Sequence, residues 1–318
     1  MKDTSFVLER FLVCLASLLG VNPAELAFIR KSENIVFQLA DTYIVRVSSQ
    51  THRTVSEFEA EVEWISFLKE HGVLACAAVL WQGKLIQELC FEQERFTVMV
   101  FEKASGKPLL TSRELKGDRE YIKGWGDALA SLHSATKLYA PKGPEISRKQ
   151  WLNVFPTIKE EHQDLQNKLD GIITAKRSYL EQLDKDDKSY GLIHCDFTLN
   201  NMFYEEGRFS IFDFDHSKYS WMIYDFAVIV DYVLKLRYIY KDKRAFIDEF
   251  LYCFLDGYEK KHHLTQYWMD QLPEFLKIWR LENTIAIINK RDNFVLEEWE
   301  KRVVDKLLQD VLNDVPLI

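Results

Sequence analysis

YGLIHCDFTLNNMFYEEGRFSIFDFDHSKYSWMIYDFAVIVDY, residues 190–232, decides how the rest of the chain is read. Two β-like apolar runs flank a polar loop that carries His194, Asp196, Asn200 and Asn201, and an acidic pair, Asp213 and Asp215, follows. An aspartate with an amide five residues later, on a loop between strands, suits phosphoryl transfer. The carboxylate of Asp196 can take or orient a hydroxyl proton, and the amide oxygen of Asn201 can ligate Mg²⁺. Hard cations prefer oxygen donors, and Asp213, in IFDF, supplies another. The transfer asks little covalent work of a protein: positioning and charge neutralisation do most of it. Taken alone, HxDxxxxN also fits a polar turn with Asx-type capping. The acidic IFDFD run 17 residues beyond Asp196 is what tips the reading toward chemistry.

Working outward, 318 residues suffice for two lobes with real cores, and 47% apolar with 14% aromatic residues exclude wholesale disorder. A net charge of −8 argues against general nucleic-acid binding and suits a cationic small substrate. No run of 18 apolar residues is present, so no membrane span is expected, and the short apolar run 11–21 reads as a buried helix. The five cysteines (14, 76, 90, 195, 253) show no CxxC spacing. Zinc and a disulfide framework are not expected, and a reducing cytoplasm is.

Toward the N-terminus, residues 5–20 read as a helix. Residues 28–39 read as strand, polar turn and strand, and 43–47 as a third strand with Val45 and Val47 on one face and Arg46 on the other. Glu57–Glu70 is an amphipathic helix ended by Gly72. Strands are expected near 77–81, 84–88 and 96–101, the last an apolar run typical of a strand covered on both faces. The turn-rich Ala104–Pro108 marks a boundary, giving a lobe at 1–102 and another at 103–318. From Arg113 the pattern is helical: 121–136, 157–186, 224–240, 245–260, 267–289 and 297–311. A sheet-rich third followed by helices is an α+β arrangement in two lobes.

HCDFTLNN, IFDFD and Tyr224-Asp225-Phe226-Ala227 resemble, in residues and spacing, the motifs of the aminoglycoside phosphotransferase and choline kinase-like family, which has the bilobal protein-kinase-like fold. SENIVFQL resembles its nucleotide loop, EAEVEWISFLKEHGV its αC-like helix, FTVMVFEKASGKPL its hinge, and WGDALASLHSAT its LGxxLAxLH helix. Beyond about residue 235 the match is one of character only. The resemblance implies an ATP- and Mg²⁺-dependent phosphotransferase acting on a hydroxyl of a small molecule. It implies Asp196 as the catalytic residue, and Asn201 and Asp213 as metal ligands. The nucleotide would meet Ser32, Asn34 and Arg46, with adenine along Met99–Glu102, including Phe101, read by backbone groups. Glu61 would pair with Arg46, Glu57 being the competing partner one turn earlier. Two departures stand out: Arg46 holds the usual lysine position, and the loop at Lys31–Val36 has no glycine.

Asp215 can be a second metal or acceptor-site carboxylate or a structural group. His194 is read as bracing the loop, Asp225 as the aspartate behind it, His133 as a packed helix histidine and Cys195 as packing. The acceptor is expected near Asp215, His216 and Trp221, where acidic and aromatic residues suit an amine-bearing alcohol. Two rivals compete. Asp213-Phe214-Asp215-His216-Ser217 loosely resembles the opening of haloacid dehalogenase-type phosphatases, with a covalent aspartate. Alternatively, the fold binds nucleotide without transfer, as a pseudokinase.

Overall fold

A computed structural model describes residues 4–316, apart from 52, 109–117, 144–146, 154–157, 159–162, 236–242 and 291–297. By packing, the chain divides into two compact units. One comprises residues 1–108, 138–148 and 202–215, and the other 109–137, 149–201 and 216–318.

The first unit is built on an antiparallel sheet of β1 (Leu26–Lys31), β2 (Asn34–Leu39), β3 (Tyr43–Ser49), β4 (Gln87–Phe91) and β5 (Glu94–Glu102), in the order β1-β2-β3-β5-β4. The helix α1 (Thr4–Leu19) lays Phe11, Leu15, Ala16 and Leu19 on a core formed with Phe37, Leu39, Val45, Val47, Leu89, Phe96, Val98 and Val100. Strand periodicity then sends Arg46 to the opposite face from Val45 and Val47. Helix α2 (Val55–Glu70) starts on a reciprocal cap: Thr54 Oγ accepts the Glu57 N–H at 3.3 Å, and Glu57 Oε2 accepts the Thr54 N–H at 2.9 Å. A three-stranded sheet of β6 (Lys107–Pro108), β8 (Met202–Glu205) and β9 (Arg208–Ile211) completes this unit.

The strand expected at 77–81 is instead irregular chain with single bridges, Ala78 to Phe101 and Trp81 to Lys84. The strand expected at 84–88 lies at 87–91, because the hairpin turns at Glu92 and Gln93, both in the left-handed region (φ 48° and 72°). Neither residue is a turn-former of the glycine or asparagine type, which hid the turn. All of Phe96–Phe101 is buried.

The second unit contains α3 (Arg119–Thr136), α4 (Gln163–Glu181), β7 (Tyr190–Ile193), β10 (Lys218–Trp221), α5 (Ile223–Lys235), α6 (Lys243–Tyr258), α7 (Gln266–Asp270), α8 (Leu272–Lys290) and α9 (Glu298–Leu312). Strands β7 and β10 pair antiparallel. The parts of the expected helices at 113–117, 157, 159–162, 236–240 and 297 lie outside the described residues. Helices α3 and α6 touch through glycine: a Cβ on Gly126 would lie 2.0 Å from the Phe254 carbonyl oxygen, and one on Gly257 1.9 Å from that of Lys123. This approach sets the register of the two helices and so the position of Tyr258, which bonds His133, and of His133, which bonds Asp225. Among the described residues no helix is long and apolar enough to cross a membrane.

Candidate active site

In the first unit, Arg46 sits mid-strand in β3, opposite Val36 on one side and Met99 on the other. Its Nη1 lies 2.8 Å from Glu61 Oε1 and 3.5 Å from Asp215 Oδ1. The guanidinium carbon stands 4.9 Å above the Phe101 ring, and Nη2 is 3.9 Å from Met99 Sδ. Burial works against this charge, but Glu61 and then Asp215 more than offset it, so Arg46 is held more firmly protonated than a free arginine. Glu57, the competing partner, is spent on the α2 cap. Met99 and Phe101 therefore meet Arg46 through their side chains. The backbone of their strand is taken on both sides, by Ile44 opposite Phe101 and by the Glu102 N–H donated to Ala77 O at 3.0 Å.

Ser32 stands in the β1–β2 turn, its N–H donating to Asn34 O at 3.0 Å. Asn34 accepts from Ser48 Oγ at 2.7 Å and donates to Asp215 Oδ2 at 2.9 Å. Asp213 follows β9 in the left-handed region (φ 64°), not within a strand, and Asp215 lies in a short 3-10 turn, Phe214–His216. Asp213 Oδ2 accepts from Arg30 Nη2 at 2.7 Å. Two further arginines converge here. Arg53 Nη1 lies 2.5 Å from Asp215 Oδ1 and 3.4 Å from Glu61 Oε2. Arg148 Nη2 donates to Asp215 O at 2.5 Å, and its Nη1 lies 3.7 Å from Glu61 Oε2. Sequence reasoning missed both. Arg53 stands just before the α2 cap, a place where a reach toward the sheet was open to inference. Arg148 lies in a connecting segment with no pattern to mark it.

In the second unit, the loop after β7 hangs from one buried carboxylate. Asp225, in the first turn of α5, accepts the Cys195 N–H on Oδ1 at 2.7 Å and the His194 N–H on Oδ2 at 3.2 Å. His133 Nε2 lies 3.1 Å from Asp225 Oδ2 and donates to it, while Nδ1 lies 2.8 Å from the Tyr258 hydroxyl. Burial raises the Tyr258 pKa well above that of a free phenol, so its hydroxyl keeps its proton and donates to Nδ1. Cys195 carries the turn at φ 64°, is buried, and burial holds its thiol well above the ordinary value, which leaves no nucleophilic thiolate.

The Asp196 N–H donates to His194 Nδ1 at 3.3 Å, so that ring nitrogen is the unprotonated one. Asn201 Nδ2 donates to Asp196 Oδ2 at 2.6 Å and to Asp196 O at 3.0 Å. Both amide hydrogens are thus spent on Asp196, and Asn201 Oδ1 takes no hydrogen bond among the described residues. Tyr232, which sequence reasoning also missed, donates to Asn200 Oδ1 at 3.4 Å. Its pKa is raised, first by burial and then by the charge of Asp196. Only its place on α5, two helical turns beyond Asp225 and one beyond Val228, could have pointed to it.

Trp221, expected beside the acceptor, is instead fully buried. Its ring packs 5.2 Å from Trp151 and 5.1 Å from Tyr190, and its indole N–H donates to Asp184 O at 2.7 Å. Apolar burial of so large a ring outweighs any surface role. The chain after Asp213 runs into the antiparallel β10 and then helices, not the βαβ series that a phosphatase of the haloacid dehalogenase type requires.

Asn201 offers an amide oxygen and Asp213 a carboxylate oxygen, Oδ1, outside its bond to Arg30. These are donors that a hard divalent cation prefers. Among the described residues no group of three or more His, Cys, Asp or Glu gathers to hold a metal.

Residues 26–260 match a family described as the phosphotransferase enzyme family. The amicoumacin kinase of Bacillus subtilis (strain 168) is 25% identical over 320 residues, covering 97% of this chain and 93% of that protein. A solved structure of amicoumacin kinase hAmiN in complex with AMP-PNP, Ca²⁺ and Ami superposes with a TM-score of 0.84 at 25% identity, over 99% of this chain and 94% of that one. A microcompartment-associated aminopropanol kinase has the same fold, with a TM-score of 0.71 at 18% identity over 96% and 95% of the two chains.

Proposed function

Because this chain belongs to the phosphotransferase enzyme family and is an ATP-dependent kinase of small molecules, we propose that Asp196 accepts the proton of an acceptor hydroxyl as that oxygen attacks the γ-phosphorus of ATP. The carrying observation is the Asp196–Asn201 pair. The amide donates to Oδ2 at 2.6 Å and so fixes the direction of the carboxylate beside a side-chain oxygen of the kind a hard cation prefers. Asn201 and Asp213 would hold a divalent metal, in our reading Mg²⁺. Bound there with the nucleotide, such an ion neutralises phosphate charge and draws electron density toward the leaving oxygen.

Residues of the lobe 1–102 serve the nucleotide. Ser32 and Asn34 stand at the phosphate-covering turn, and Arg46 supplies a permanent charge to the phosphates. Glu61 aims that charge, and Met99 and Phe101 confine it from the side. A guanidinium gives up less hydration than an ammonium when buried, so it tolerates this site better than the usual lysine would. The lobe 103–318 carries Asp196 and the acceptor. We read the acceptor as an amine-bearing alcohol, since similar proteins are an amicoumacin kinase and an aminopropanol kinase and the chain is acidic overall. All five cysteines are free, in keeping with a cytoplasmic enzyme.

The test is ATP consumption across a panel of amine-bearing alcohols that includes amicoumacin and aminopropanol, with Asp196→Asn as control. Turnover with at least one acceptor, lost in the variant, is the expected result. ATP binding with no turnover on any acceptor would favour the non-catalytic reading instead.

A further inference from the structure

We propose that Asp215 is a positioning residue that aims Arg46 and Asn34, locked in place by Arg53 and Arg148, and that it ligates no metal. The proposal rests on the nucleotide-binding role given to Arg46 and Asn34 above. Four groups from four segments of the first unit converge on this one residue. Oδ1 takes Arg53 Nη1 at 2.5 Å and faces Arg46 Nη1 at 3.5 Å, and Oδ2 takes Asn34 Nδ2 at 2.9 Å. The backbone carbonyl takes Arg148 Nη2 at 2.5 Å and also Arg53 Nη2. Its side chain is only 7% exposed. A cation at either carboxylate oxygen would have to replace a charge-assisted bond already made in a dry setting, where such bonds are strongest.

Asp213, two residues earlier, is the contrast. Its side chain is 19% exposed, and it is met by one arginine, Arg30, that is itself half in solvent. The two aspartates of the IFDFD run therefore have different occupations, and only the first keeps an oxygen for a ligand.

The arrangement also explains how an arginine serves where a lysine is usual. A guanidinium is a planar fork that needs its orientation fixed. One acid on α2, Glu61, gives the guanidinium a charged partner on one side only, with Phe101 and Met99 along its flank. Asp215 holds it from the other side. Because Asn34 bonds both Asp215 and Ser48, two residues along β3 from Arg46, the same carboxylate sets the start of β2 against β3. Arg148 ties the turn in addition to the first turn of α2, through the carbonyls of Phe214 at 3.4 Å and Glu57 at 3.2 Å.

The experiment compares Asp215→Asn, Arg53→Lys and Asp213→Asn with the wild-type enzyme. Binding of ATP and of AMP is measured by calorimetry, the half-saturating Mg²⁺ concentration for ATP binding is titrated, and hydrogen exchange of the 31–36 amides is followed without nucleotide. Asp215→Asn should weaken ATP at least tenfold and AMP less than threefold, and leave the Mg²⁺ midpoint within twofold. It should also speed exchange in the turn at least tenfold. Arg53→Lys, which keeps the charge but loses the fork, should do the same to a smaller degree, and covers the case in which Asp215→Asn does not fold. Asp213→Asn should shift the Mg²⁺ midpoint. A Mg²⁺ midpoint moved as far by Asp215→Asn as by Asp213→Asn overturns the proposal, as does turn exchange unchanged in both Asp215→Asn and Arg53→Lys. Wild-type protein that binds no ATP would instead overturn the functional reading, while the exchange measurement still decides the role of Asp215.

Discussion

In the β-rich unit, Glu61 and Asp215 are each met by more than one guanidinium, whereas in the helical unit Asp196 is met by the neutral amide of Asn201. The first arrangement spends its carboxylates on fixing arginines. The second spends a different carboxylate, Asp225, on the backbone of the loop, and holds Asp196 through the Asn201 amide. A buried acid ringed by arginines is held in one orientation by them. An acid held by an amide is fixed in direction by a neutral donor and not by a charge. In the proposed reading, the chain thus separates groups that aim charge from the group that would handle the proton.

Removing the proton acceptor breaks this contrast most severely. Asp196→Asn should lower kcat by about three orders of magnitude, the range of a positioned general base. ATP affinity, measured by calorimetry, should change less than threefold. A variant that keeps kcat within tenfold of the parent would strip Asp196 of its role. Next in size is Glu61→Ala, which leaves Arg46, Arg53 and Arg148 facing one carboxylate fewer in the interior. Losing one partner of a buried ion pair costs about 3–5 kcal/mol. Thermal unfolding should show a fall of that order, and a loss below about 1 kcal/mol would mean that the pair is incidental.

The same contrast shows what the sequence could reveal. The loop group was legible because its parts are close in the chain: an aspartate, an asparagine five residues on and an apolar strand before them. The contact of Glu61 with Arg46 was legible because β3 alternation turns Arg46 away from the valine core toward the face where α2 must pack. The choice against Glu57 follows from capping chemistry, since Thr54 and Glu57 form a box that consumes the second acid. Arg53 and Arg148 were not legible. An exposed-looking arginine carries no periodicity, and only the folded path of residues 138–148 brings Arg148 to the 3-10 turn. Trp221 misled for the opposite reason: an aromatic next to a functional motif looks like a binding wall until burial shows it to be core. The β4 hairpin was misplaced because Glu92 and Gln93 adopt left-handed backbone that their types seldom take.

A smaller effect is expected from the helix contact beneath the loop. Gly126→Ala places a methyl where the Phe254 carbonyl stands, so α3 and α6 must part. Overpacking of this kind costs about 1–3 kcal/mol. The parting also draws Tyr258 from His133, and His133 from Asp225. Gly126→Ala should therefore lower kcat more than it changes ATP affinity, which the proposed reading assigns to the other unit. Equal losses in both would indicate general loosening of the fold instead of a path from helix packing to the loop.

The smallest expected effect separates the units by pH. His262 is buried in the helical unit; its Nε2–H donates to Lys188 O at 2.9 Å, and its ring lies 5.4 Å from that of Tyr258 and 5.9 Å from that of His133. Burial, and then the neighbouring His133 and Lys137, push its pKa down to about 3 from the ordinary 6.5. Above pH 6.5 the imidazole is neutral in the folded and unfolded chain alike, and contributes no slope. Between 6.5 and about 3 the unfolded chain takes up a proton that the folded one refuses, so stability falls with falling pH by up to about 1.4 kcal/mol per unit. His262→Gln should flatten that part of the profile. The wild-type minus variant difference in unfolding free energy, measured by urea at pH 7 and at pH 5, should change by up to about 2 kcal/mol. The arginines of the first unit hold their charge throughout this window, so their cluster offers no matching slope. A difference that stays constant between the two pH values would mean that His262 protonates in the folded state as readily as in the unfolded chain, and that the acid sensitivity of the helical unit lies elsewhere.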